Sequence, residues 1–135
     1  MIKLKSNTLP DYQKKQQILY IKATPKETLI AYGDGYLAEG RIPDAVEFYT
    51  RAKYIPGLNR LKTMAAESGD AMMFQQVLKA LNETANDNEW KTLGEAALSG
   101  GKYVFAMYAF EKGRHSDLIE QVKQAMHNHD QQDRA

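Results

Sequence analysis

Apolar residues recur along this chain at intervals of three and four, and strand-like alternation is nearly absent. Ala45, Phe48, Tyr49 and Ala52 share one helical face, as do Val77, Leu78 and Leu81. Gly40, Gly69, Gly101 and Gly113 each close one stretch of helical spacing and open another, a helix-turn-helix rhythm. At Thr24-Pro25-Lys26-Glu27, Thr24 is placed to cap a free amide, Pro25 fits the first helical position and Glu27 caps back, which predicts a helix over 25–39. Ile42-Pro43-Asp44 restarts the chain as a second helix to about Tyr54, and Pro56-Gly57 argues against its continuing past Ile55. Tyr103 to Phe110 is an unbroken apolar run that periodicity alone reads equally as buried strand or buried helix. Its all-helical surroundings favour helix, and a helix apolar all round needs cover on both sides. Ser116 to His127, with Leu118, Ile119, Val122 and Met126 along one side, is the expected lid, and residues 129–135 read as a frayed tail. Seven or eight helices are expected in all.

The chain also repeats itself. GRIPDAVEFYTRA from Gly40 aligns with GRHSDLIEQVKQA from Gly113, keeping Gly, Arg, Asp, Glu and the last Ala in register. Gly40, Gly69 and Gly101 are spaced just under the 34 residues of a tetratricopeptide unit. Trp90, Leu93, Gly94, Ala97, Gly101, Tyr103, Ala106 and Phe110 resemble the tetratricopeptide pattern W-x2-L-G-x2-Y followed by A-x3-F, with Ala97 in place of the usual tyrosine. Residues 26–59 look like a second copy, with Leu29 in the tryptophan position followed by Tyr32, Gly33, Tyr36, Gly40, Ala45, Tyr49 and Ala52. A middle unit keeps Leu58, Leu61, Gly69 and Leu78 but places Lys62 where the small glycine belongs and Phe74 where the small alanine belongs. The resemblance spans residues 26–113. It implies an all-α fold: a short right-handed superhelix, or α-solenoid, of about three hairpins with N- and C-terminal capping helices, the latter over 115–128. Small residues such as Gly33, Ala45, Gly94 and Ala106 would let helices approach, while Tyr36, Tyr49, Trp90 and Phe110 fill the space around each crossing.

The same resemblance implies a protein–protein interaction or scaffold module that binds a peptide or helix in a concave groove. The groove positions fall on Ile30, Asp34 and Leu37, then Asn59, Thr63 and Glu67, then Lys91, Glu95 and Leu98. Ile30 and Asp34 stand where some family members clamp a C-terminal carboxylate with Lys and Asn, so a chaperone tail is a poor partner. Asp34, Glu67 and Glu95 favour a basic or amphipathic peptide, and a second copy of the chain is another occupant, making a homo-oligomer.

Length and charge bound the reading. At 135 residues the chain is read as a single domain. Its 18 Lys plus Arg against 17 Asp plus Glu give no global field for nucleic acid or an anionic membrane. Without cysteine there are no disulfides, thiolate zinc sites or cysteine nucleophile, and without a signal-like start or a spanning apolar run the expected setting is cytoplasmic. Residues 1–24 carry Lys3, Lys5, Lys14, Lys15 and Lys22 against Asp11 alone. They are read as a short helix through Tyr12, Gln16, Leu19 and Tyr20 capping the first hairpin, or else as a mobile basic arm, which supports the alternative of an RNA-associated helical-repeat protein. His115, His127 and His129 lack metal-ligand spacing and read as solvated; Gly33-Asp34-Gly35 and Gly100-Gly101 match no phosphate-loop pattern. Six methionines, the adjacent Met72 and Met73 among them, could form an adaptable binding surface, but core filling in the irregular middle repeat is the favoured reading. No catalytic constellation, metal site or cofactor motif emerges, so the expectation is a binding protein and not an enzyme.

Overall fold

The computed structural model describes residues 9–134, and among them helices account for all the regular structure. α1 (Tyr12–Gln16) runs into a π-helical turn, Gln17–Ile21; then follow α2 (Lys26–Ala38), α3 (Ile42–Arg51), α4 (Ile55–Ser68), α5 (Ala71–Leu81), α6 (Asp87–Ser99), α7 (Tyr103–Lys112) and α8 (Ser116–Arg134). The chain forms two compact units, Met1–Leu61 and Lys62–Ala135, with the boundary inside α4.

In the first unit α2 and α3 form a hairpin. Its crossing is close because Gly33 has no side chain: a β-carbon there would lie 2.5 Å from Cε1 of the buried Tyr49 ring. Tyr36 stacks on Phe48 with ring centroids 5.3 Å apart, and both are fully buried. The segment before α2 packs on this hairpin. Its inward stripe is Lys15, Ile18 and Leu19, and the Tyr36 hydroxyl donates to the Pro10 carbonyl at 3.3 Å. Residues 9–24 therefore include a folded helical segment; the rest of the expected arm, with Lys3 and Lys5, lies outside the described residues. The expected inward face was partly wrong, since Tyr12 and Tyr20 are exposed and the core position is taken by Lys15.

The second unit repeats this construction. α6 and α7 have the bounds of α2 and α3 shifted by sixty-one residues, and Gly94 meets the Phe110 ring as Gly33 meets Tyr49. The run from Tyr103 is thus helix. α8 covers one side of it: Ala97, Ala106, Phe110 and Val122 form a fully buried cluster flanked by Leu118 and Ile119. The other side is not fully covered, for Val104 is 76% exposed. Phe74 packs edge-on against Trp90 with centroids 5.1 Å apart. Of the adjacent methionines, Met73 packs on this cluster while Met72 is exposed, so core filling holds for only one of them.

Backbone punctuation follows the same rhythm in all three hairpins. Gly40, Gly69 and Gly101 adopt positive φ, and thirteen residues after each comes a left-handed residue, Lys53, Asn82 or Arg114. These left-handed residues end the second helices, which corrects one expected boundary. The helix expected to about Tyr54 stops at Arg51 and, as expected, does not continue past Ile55; Pro56 instead enters the first turn of a new helix, α4, where a missing N–H costs nothing. The start of α2 also differs: Pro25 occupies the N-cap, no side chain caps the first turn, and the Thr24 hydroxyl donates to the Ile18 carbonyl at 2.9 Å. The tail is helical to Arg134 and not frayed from 129, helped by the absence of Gly or Pro there and by Gln131 donating to His127 Nε2 one turn back at 3.1 Å.

Candidate functional site

The nine positions implied for a peptide groove lie on α2, α4 and α6. In the first unit Ile30 and Leu37 are half-buried on α2 and Asn59 is exposed on α4. Asp34 is half-buried and committed: it accepts a 2.5 Å hydrogen bond from the Tyr49 hydroxyl. Burial, then this bond to the carboxylate, pushes the Tyr49 phenol well above its ordinary value of 10.0, so it stays a donor. Asp34 thus holds the aromatic ring that fills the α2–α3 crossing.

In the second unit α4 and α6 lie side by side and run parallel. At one end Lys62 Nζ reaches Glu89 at 2.9 Å and Glu83 at 3.4 Å. At the other, Gly69 abuts the backbone of Ala97, and Lys102 Nζ donates to the Ser68 carbonyl at 2.6 Å. Between them Ala65, Trp90 and Leu93 share a buried cluster. This neighbouring arrangement carries Thr63 and Glu67 on α4 and Lys91 and Glu95 on α6, all exposed. Each pair is one helical turn apart. Leu98 differs, being half-buried against the cluster under α8. No ion pair among the described residues engages Glu67, Lys91 or Glu95. Their charges face solvent.

Two charge clusters escaped the sequence reading. The Lys15 ammonium lies between Asp44 Oδ1 at 2.5 Å and Glu47 Oε1 at 2.9 Å, while Arg41 holds the other Asp44 oxygen at 2.9 Å. Burial alone would depress the lysine, but its hydrogen bonds and attraction to the two carboxylates outweigh that and raise its pKa above 10.5. This removes Lys15 from any free basic arm. At Glu89, the Lys62 hydrogen bond holds the carboxyl below its ordinary 4.5 despite partial burial, and its other role is a capping box with Asn86 at the start of α6. Nothing in the spacing of Lys15, Asp44 and Glu47, some thirty residues apart, announces the contact.

His115 corrects the expectation of solvated histidines. It is half-buried, edge-on to Phe110, and its Nε2 donates to the Asp87 carbonyl at 3.0 Å, closing the end of the α6–α7 hairpin. Among the described residues no three His, Cys, Asp or Glu side chains converge as a metal site, and no helix is long and apolar enough to cross a membrane. Set against known protein families, curated proteins and solved structures, the chain matches none.

Proposed function

We propose that this protein is a tetratricopeptide-like helical-repeat module, working in the cytoplasm, that binds a basic or amphipathic peptide segment by display and not by catalysis. The single observation that carries the reading is the parallel pair α4 and α6. Neighbouring first helices of a solenoid stand in this relation, and their exposed stripes are where such a module receives a partner. The two hairpins of identical register support the repeat architecture. Small residues at the crossings and large aromatics around them spend the apolar surface on packing, leaving Glu67, Lys91 and Glu95 for recognition. With Glu67 and Glu95 unpaired, a partner bearing Lys or Arg gains complementary charge and faster encounter.

The test is selection of a displayed random peptide library on the immobilised protein and on its Glu67→Lys/Glu95→Lys variant. The proposal expects Lys- and Arg-containing sequences to be enriched by the parent and lost by the variant. Enrichment that is identical on both proteins would refute it. The alternative of an RNA-associated protein rests on the basic N-terminal residues and is weakened by the burial of Lys15 against Asp44 and Glu47.

A further inference from the structure

Within the first unit, Ile18 of the π-helical turn, the start of α2 and the end of α3 line an open pocket of about 220 Å³. Four cations line it: Lys22 after the turn, Lys26 opening α2, Arg51 closing α3 and Lys53 just beyond. No acid is among its lining residues, and no carboxylate among the described residues pairs with any of the four. Glu27, the acid in the first turn of α2, is not part of the wall. The floor is apolar, from Ile18, Leu29 and Ala52.

From this geometry we propose that the pocket is an anion site for a phosphomonoester, its phosphate held by the four cations and the start of its organic body resting on the apolar floor. The four cations are solvent-exposed, and a multiply charged anion bridging them relieves their mutual repulsion. A dianion relieves it better than a carboxylate does. Arg51 is already fixed in place, since its Nε donates to the Leu19 carbonyl at 2.6 Å, which leaves its terminal nitrogens for an oxyanion. No side chain caps the first turn of α2, so the positive end of its dipole adds to the field. Ile18 and Lys22 reach the pocket from a π-helical turn, closed by Lys22 N–H donating to Gln17 O at 2.8 Å, a geometry frequent at functional sites. The volume admits a phosphate with a few further heavy atoms and not an extended chain.

The experiment is a two-dimensional amide-resonance titration of the full chain with inorganic phosphate, beside sodium acetate at equal ionic strength. Saturable shifts confined to the amides of residues 18–29 and 51–53 are expected with phosphate and not with acetate. Lys26→Gln/Lys53→Gln should weaken binding at least about tenfold with unchanged thermal melting, and Lys26→Arg/Lys53→Arg should retain it. Glycerol 3-phosphate and capped phosphoserine then separate the two sources of the group: tighter binding of the former assigns a free phosphorylated small molecule, of the latter a phosphorylated side chain. Shifts that are linear in concentration, spread over the chain, equal with acetate or indifferent to the glutamine variant would overturn the proposal.

Discussion

Replacing Gly94 by Ala tests the packing logic of the repeat through the sign of a single number. In an ordinary helix interior the change stabilises, because alanine is favoured over glycine by about 1 kcal/mol. Here the new methyl would enter the space held by the Phe110 ring, which is fully buried against Ala97, Ala106 and Val122 and has no room to swing. Overpacking of this kind costs about 1 to 3 kcal/mol, so the clash cancels the propensity gain or exceeds it, and the predicted net change runs from about zero to 2 kcal/mol of destabilisation. Gly100→Ala supplies the control, since a β-carbon there meets only ordinary contacts, the nearest being the Ala96 carbonyl at 3.5 Å. It should leave stability unchanged or slightly improved. Urea unfolding followed by circular dichroism reads both, and Phe110→Leu in the Gly94→Ala background should recover part of the loss. If Gly94→Ala stabilises the protein as fully as a free helix position would, the close crossing is not what holds the α6–α7 hairpin.

Three other outcomes follow from the charge clusters and the cap. Lys15→Met strands two carboxylates; because Asp44 keeps Arg41 and Glu47 is partly solvated, the cost falls below that of a fully buried pair, at about 1 to 3 kcal/mol by urea unfolding. The raised Lys15 pKa makes its contribution complete below pH 10.5 and lost as pH rises through the higher folded value, so the parent should lose this increment in strong alkali and the variant should not. Glu89 has the opposite sign: its depressed pKa gives a contribution present above pH 4.5 and lost on acidification through the folded value, a loss that Lys62→Met should diminish in acid-unfolding curves. Val122→Ala should cost about 1 to 3 kcal/mol at the seam of α7 and α8, whereas Met126→Ala, 39% exposed and outside that cluster, should stay within about 0.5 kcal/mol by the same assay.

The hairpins were legible because their packing depends on residue size at fixed intervals. Gly33 with Tyr49 and Gly94 with Phe110 carry that information in the residue types themselves. The ends of helices were less legible. Lys53, Asn82 and Arg114 take positive φ without being glycine, and two of them are cations that read as ordinary helical surface, so α3 was drawn too long. The helix before α2 was rotated in the sequence reading because a lysine was not expected at a core position, and only its two distant carboxylates make that position tolerable. Asp34 looked like a free groove acid, yet the phenol it accepts from lies fifteen residues away on the facing helix. The pocket in the first unit had no signature, since Lys22, Lys26, Arg51 and Lys53 come from three segments and converge only when α3 folds back on α2.

The most direct measurement of the binding reading is amide-resonance mapping of the labelled full chain with a basic peptide taken from the display selection. The account predicts saturable shifts centred on residues 63–67 and 91–95, abolished by Glu67→Lys/Glu95→Lys while the unfolding midpoint stays within the range expected of surface changes. Shifts confined to residues 9–24, with the α4 and α6 amides unmoved, would contradict it.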